Sequence, residues 1–94
     1  MARTYVDRLD VNDTRQMDEY NERFCAFVKQ FGYDGMNPPE FIPSGQAAEF
    51  LGCSKQDVCT MAYREVIRRG PDRGTVSLDD VIAKKVLAPF VERV

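Results

Sequence analysis

Residues 44–61 constrain the fold of this chain more than any other stretch, because they predict two short helices joined by a tight turn. Ser44 is the predicted N-cap of the first helix and Ser54 that of the second, since a serine side chain can accept a hydrogen bond from the first helical turn. Gly52 is expected to end the first helix, because glycine tolerates the left-handed conformation of a sharp exit. Ala48 is small enough to let two helices cross at close range. The spacing is that of a helix-turn-helix.

The second helix of the pair is predicted to continue to about Arg69. Its inward positions are apolar and follow helical spacing, at Val58, Met61, Ala62 and Val66. With these residues inward, the outward face carries Gln56, Thr60, Tyr63 and Ile67, with Lys55 and Cys59 at one edge and Arg64 at the other. An outward Ile67 requires cover from a neighbouring segment or a partner.

The segment A-A-E-F-L-G-C-S-K-Q-D-V resembles the helix-turn-helix opening of the excisionase and MerR-type DNA-binding families. Those families show Ala-Ala, two residues, Leu-Gly, a small apolar residue, Ser, and Val four positions on. The chain matches this pattern at Ala47, Ala48, Leu51, Gly52, Ser54 and Val58. A weaker part of the resemblance follows, with a wing turn at Gly70–Gly74 and the start of the next helix at Ser77–Val81. The resemblance spans about residues 42–83.

The resemblance implies a small sequence-specific DNA-binding protein of phage or mobile-element type, either a transcriptional regulator or a recombination accessory factor. Its partner would be double-stranded DNA. Polar and aromatic side chains near the start of the second helix are expected to read base edges, namely Lys55, Gln56, Thr60 and Tyr63. Arginines farther along the chain are expected to hold phosphates, namely Arg64, Arg68, Arg69 and Arg73.

The charge balance argues against simple non-specific binding to nucleic acid. The net charge is −2, from 13 basic and 15 acidic residues. Residues 1–40 carry five basic and eight acidic side chains, hence −3, whereas residues 55–73 carry five basic and three acidic ones, hence +2. A locally basic segment on an acidic body can still meet phosphates, although its field is weak. The same arginines can equally form a solvated helix face.

A second class of function is therefore kept open. The chain can be a protein-binding module, such as a small inhibitor or accessory protein that docks on a larger complex through its acidic and aromatic surfaces. Asp57 and Glu65 on the second helix favour this alternative, whereas the match to the helix-turn-helix pattern favours DNA.

The N-terminal part predicts one long amphipathic helix, capped by Asp13 or Thr14 and ended by Gly32. Its apolar stripe is Met17, Tyr20, Phe24, Phe27, Val28 and Phe31. This stripe can roof the helix-turn-helix core, or it can pack against a second copy of the chain. A single reading helix covers few base pairs, so we expect a homodimer. Its seam would contain Tyr20, Phe24, Phe27 and Phe31, joined by Ile67.

The remaining segments complete a mostly α fold with, at most, a minimal β wing. Residues 1–40 form a helical extension and linker, and residues 41–94 form the helix-turn-helix domain. A short hairpin is possible at residues 70–77. Ser77 caps a last helix whose first turn carries Asp79 and Asp80, acidic charges that suit a helix N-terminus. Pro89 is expected to end or kink that helix, leaving Phe90 and Val91 as a last apolar anchor.

Enzymatic, cofactor and metal chemistry are not expected. The chain has no histidine, which removes Ser-His and Cys-His nucleophile systems. Its cysteines lack C-x-x-C spacing, so a zinc site is not predicted. An odd number of cysteines and no recognisable signal peptide favour a reducing cytoplasm. No apolar run in the sequence approaches the length that crosses a bilayer, so no membrane partner is expected.

Overall fold

Helices account for most of the computed structural model, which describes the backbone of residues 4–91 and the side chains of residues 4–87. The elements are, in chain order, α1 (Tyr5–Arg8), α2 (Thr14–Phe31), β1 (Phe41–Pro43), α3 (Ser44–Leu51), α4 (Lys55–Tyr63), β2 (Thr75–Ser77) and α5 (Leu78–Val91). The mostly α fold with a helix-turn-helix (α3 and α4) is therefore confirmed. No helix within these residues is long and apolar enough to cross a membrane.

Helix α2 is the amphipathic helix that the sequence predicts, with the Asp13 side chain as its N-cap and Gly32 at its C-terminal end with φ +72°. Phe27 is fully buried, stacking on Tyr33 and meeting Phe50 edge-on. The neighbouring stripe residues are half-buried against the same core, namely Tyr20, Phe24, Val28 and Phe31. Helix α2 thus packs on the core of its own chain, against α5 and against Phe50 of α3, which is the first of the two arrangements expected from its stripe.

The two strands pair antiparallel, although they lie on opposite sides of the helix-turn-helix in sequence. Their register places Phe41 opposite Ser77, Ile42 opposite Val76 and Pro43 opposite Thr75. On the other edge of β2, Arg69 forms a single bridge with Val76, and the Gly70 N–H donates to the Thr75 carbonyl at 2.9 Å. The expected hairpin at residues 70–77 is thus only a bridge, and the regular ladder joins β2 to the strand before the helix-turn-helix.

Gly70 permits this close approach. A Cβ atom at position 70 would lie 3.0 Å from two atoms of Phe41 and closer still to the Thr75 hydroxyl. Residues 71–74 form the turn beyond it, closed by the Thr75 N–H and hydroxyl, which both donate to the Asp72 carbonyl. We call residues 69–74, which lead from this bridge into β2, the wing.

Helix α4 ends at Tyr63, so the predicted extension to Arg69 is wrong. Glu65 adopts a left-handed conformation with φ +64°, and the Val66 N–H donates back to the Met61 carbonyl at 3.1 Å. This is the hydrogen-bonding pattern that closes helices at glycine, formed here by a glutamate. The chain then turns inward, which is why Ile67, predicted to face outward, is fully buried.

Two further boundaries differ from their predictions. Ser44 is the first residue of α3 rather than its N-cap. The N-cap position is Pro43, whose side chain forms no hydrogen bond to the helix. The Ser44 N–H instead donates to the Gly74 carbonyl at 2.8 Å, because strand β1 continues directly into the helix. At the other end of the chain, α5 continues through Pro89 to Val91, so of the end or kink expected at Pro89 the end is wrong. The side chains of Phe90 and Val91, the expected last anchor, lie outside the described residues.

The N-terminal turn α1 shares the core of the molecule. The Tyr5 ring is 9% exposed and belongs to the same hydrophobic cluster as Phe27, Val58 and Ile82. The backbone N–H of Tyr5 donates to the Val66 carbonyl at 2.9 Å, just beyond the end of α4. The short helix α1 is thus anchored to the core through both its side chain at position 5 and its backbone.

Candidate nucleic-acid interface

The turn between α3 and α4 is closed on both sides by hydrogen bonds. Gly52, with φ +73°, lets its own N–H and that of Cys53 fold back onto α3, the latter donating to the Ala48 carbonyl at 3.0 Å. On the α4 side, the Ser54 hydroxyl accepts the Asp57 N–H at 3.0 Å, and the Asp57 carboxylate accepts the Ser54 N–H at 3.2 Å. The predicted glycine stop and serine cap are both confirmed. Together they fix the direction in which α4 leaves the turn.

Helix α4 separates an inner apolar face from an outer polar face. Val58 is fully buried and Ala62 is 4% exposed, and both pack into the core. The four predicted base-reading side chains are all exposed, as Lys55, Gln56, Thr60 and Tyr63. The Thr60 hydroxyl donates to the Gln56 carbonyl at 3.0 Å, so its oxygen remains an acceptor. The nine residues of α4 span about 13 Å, which suits entry into a major groove.

A groove with a volume of about 300 Å³ lies between α4 and the wing, and we call it the wing groove. Helix α4 contributes Cys59, Ala62 and Tyr63 to its wall. The wing contributes Arg69 and Arg73, and both residues are exposed to solvent. The structure therefore brings one predicted base-reading residue and two predicted phosphate-binding residues to a single groove.

The other two predicted phosphate-binding arginines lie elsewhere. Arg68 donates from Nε to the buried carboxylate of Asp80 at 3.1 Å and from its terminal nitrogen to the Ser77 hydroxyl at 3.3 Å. The hydrogen bond to Asp80 raises the pKa of Arg68 above its usual value. The guanidinium is thus held by the protein itself, which argues against its assignment as a phosphate contact. Arg64 is exposed at the C-terminal end of α4 and does not line the wing groove.

The acidic residues near this surface have structural roles. Asp57 completes the capping box of α4, and a negative charge at a helix N-terminus is favourable. Glu65 forms the left-handed exit of the same helix. These two residues favoured a protein-binding function when only the sequence was considered. Their positions now have a local explanation that is independent of any partner.

Sequence reasoning missed two features of this region. Asp80 was assigned only to the N-terminal charge of α5, whereas its fully buried carboxylate also accepts the N–H groups of Val6 and Arg68, each at 3.1 Å. An aspartate within the apolar run L-D-D-V-I-A was the available signal. Lys84 and Lys85 of α5 were not considered, and both border a second cavity beside α4. Among the described residues, no three His, Cys, Asp or Glu side chains gather in a way that could hold a metal ion.

No protein-family model matches this chain, and neither a curated protein nor a solved structure matches it. The likeness to excisionase and MerR-type proteins therefore remains a resemblance carried by the motif residues. Functional inference depends on the geometry of α4 and the wing.

Proposed function

We propose that the protein is a small sequence-specific DNA-binding protein that places α4 in the major groove of double-stranded DNA. The observation that carries this proposal is the wing groove, where the exposed face of α4 continues into the two arginines of the wing. A helix with polar side chains outward and cations at its flank has the features that base reading and backbone contact require. The wider role, as a transcriptional regulator or a recombination accessory factor of phage type acting in the cytoplasm, is part of the same proposal.

The proposed contacts divide into two groups. Base edges are read by Lys55, Gln56, Thr60 and Tyr63. Phosphates are held by Arg64, Arg69 and Arg73. Arg68 is assigned instead to the fold, because its guanidinium is bonded to Asp80 and Ser77.

The first experiment measures the salt dependence of DNA binding for the double variant Arg69→Ala/Arg73→Ala. Each lost phosphate contact lowers the slope of log affinity against log salt by about 0.9, so the double variant is expected to lose nearly two units of slope. The matched control is Arg8→Ala/Arg15→Ala, which removes two exposed arginines outside the wing and α4. An unchanged slope in the wing variant removes the assigned surface. Absence of binding to random duplex at low salt removes DNA binding altogether.

The second experiment tests base reading. Gln56→Ala removes an amide that can pair with adenine in the major groove, and is expected to cost about 1–3 kcal/mol of discrimination at one base position. Selection from a random duplex library, performed for both proteins, reports this as relaxed preference at a single position. A uniform loss across all sequences would assign Gln56 to the backbone instead.

The alternative function is a protein-binding module that docks through acidic and aromatic surfaces. The observation that favours it is the charge of −3 over residues 1–40, which would repel DNA if that part approached the duplex. The duplex titration at low and moderate salt distinguishes the two classes, since the alternative predicts no DNA binding at either salt concentration.

Homodimerisation stays a prediction, now with a smaller candidate seam. Phe27 and Ile67 are fully buried within one chain and have no surface to offer a partner. The predicted seam residues that keep partial exposure are Tyr20, Phe24 and Phe31. Because these aromatics already pack on the core of their own chain, their apolar character alone does not support the dimer. The homodimer is still expected because a single reading helix covers few base pairs.

A further inference from the structure

A second cavity, of about 410 Å³, lies on the side of α4 away from the wing groove, and no residue that the structure describes lines both. Helix α4 contributes Asp57, Thr60 and Met61 to its wall. The turn before α4 contributes Cys53, and the opposite wall comes from Tyr5 of α1 and from α5. Its volume falls within the range of about 300–1,000 Å³ that small-molecule sites occupy. We call it the α5 cavity.

Two cations are held in the wall of the α5 cavity. The ammonium group of Lys84 lies 5.6 Å from the centroid of the Tyr5 ring, and that of Lys85 lies 5.7 Å from the centroid of the Phe50 ring. Both lysines are half-buried, so their charges stay close to the cavity rather than extending into water. The Asp57 carboxylate is used by the Ser54 N–H in the capping box. Among the described residues, the charged side chains that line the cavity are thus two lysines and one aspartate.

The rest of the lining is mainly apolar. The Leu51 and Met61 side chains are half-buried and line the cavity together with Tyr5, whose hydroxyl donates to the Met61 sulfur at 3.7 Å. Apolar walls with a few convergent polar groups are typical of sites for small organic ligands. We propose that the α5 cavity binds a small organic anion with an apolar body, its charge meeting Lys84 and Lys85 and its body meeting Tyr5, Leu51 and Met61. This proposal is independent of DNA binding.

The test uses three probes that separate the two halves of the ligand. Phenyl phosphate carries both an anionic group and an apolar ring, inorganic phosphate carries the charge alone, and benzyl alcohol carries the ring without charge. Each is titrated into the ¹⁵N-labelled protein while amide shifts are recorded. Saturable shifts with phenyl phosphate are expected at residues 53, 57, 60, 61, 84 and 85, with at least tenfold weaker binding of the other two probes. Equal binding of inorganic phosphate, equal binding of benzyl alcohol, or no saturation at millimolar phenyl phosphate would overturn the proposal.

Variants then assign the site. Lys84→Gln/Lys85→Gln is expected to weaken phenyl phosphate binding at least tenfold, whereas Lys29→Gln, which changes an exposed lysine of α2, leaves it unchanged. A second variant, Thr60→Trp, keeps both lysines and puts a large side chain at an exposed position that lines the cavity, so it guards against a folding defect in the lysine pair. It is also expected to abolish the shifts. Equal weakening by Lys29→Gln, or undiminished binding by Thr60→Trp, contradicts the assignment.

Discussion

The buried carboxylate of Asp80 accepts hydrogen bonds from two atoms of Arg68, the backbone N–H and the guanidinium Nε, each at 3.1 Å. Its other oxygen accepts the N–H of Val6 at the same distance. A buried carboxylate is unfavourable unless hydrogen bonds replace its hydration, and here three donors do so. One side chain of α5 therefore binds both the N-terminal turn and the residue that precedes the wing.

Asp80→Asn is expected to lower the free energy of unfolding by about 2–4 kcal/mol. The amide keeps the shape of the side chain but loses its charge, and in either orientation its NH₂ group faces a donor, the Val6 N–H or the two donors of Arg68. Urea unfolding followed by circular dichroism measures the loss.

The control for this change is Asp79→Asn, one residue away. Asp79 is exposed and accepts the Tyr20 hydroxyl at 2.9 Å, an interaction that an amide oxygen can also accept. Its loss is expected to stay below about 1 kcal/mol. Similar losses at positions 79 and 80 would contradict the special role of the buried carboxylate.

Glu65→Gly is expected to raise the free energy of unfolding by about 0.5–1 kcal/mol. A left-handed backbone conformation is strained for a side chain with a Cβ atom, and glycine relieves that strain at the end of α4 while losing some chain entropy. Thermal unfolding measures the gain. Glu65→Ala keeps the Cβ and should show none, so a gain from alanine would assign the effect to the charge instead.

Tyr20 predicts a specific dependence of stability on alkaline pH. Burial, and then the hydrogen bond to Asp79, raise the pKa of Tyr20 above its usual value of about 10. The folded state therefore holds the phenolic proton more tightly, and this stabilisation is complete below pH 10 and decreases as pH rises above it. Unfolding free energies at pH 9–11 should fall more steeply for the wild type than for Tyr20→Phe. The exposed Tyr63, changed to Phe, should keep the steep fall.

Sedimentation tests the predicted homodimer. The wild type is expected to form a dimer at high concentration, and Phe24→Asp to remain monomeric because it places a charge in the candidate seam of α2. Ala26→Asp, on the exposed side of the same helix, is the control and should sediment like the wild type. A wild type that stays monomeric at high concentration removes the dimer, and α2 then serves the core alone.

The features predicted correctly from the sequence are those decided by neighbouring residues. Gly52 and Ser54 determine the turn within a few positions, and Asp13 and Gly32 determine the ends of α2 in the same way. The exposed face of α4 then follows from the burial of Val58. Helical spacing and local hydrogen bonding suffice for such elements.

The features that the sequence did not show depend on distant contacts. Glu65 carries no signal for a left-handed exit, and Val66 and Ile67 fit a continued helix as well as an inward turn. Strands of three residues are too short to show alternation, so the pairing of β1 with β2 could not be predicted. The separation of Arg68 from the wing arginines depends on Asp80, which becomes its neighbour only after folding.

The pairing of β1 with β2 joins the chain segment that enters the helix-turn-helix to the segment that leaves it. Strand β1 runs directly into α3, and the wing runs directly into β2, so the ladder closes a loop that contains both helices. The entropy of closing this loop is lost once, when the strands pair, and opening them releases both helices together. Amide hydrogens of α3, α4 and β2 should therefore exchange with solvent at a common rate, as one cooperative unit, rather than fraying from separate ends.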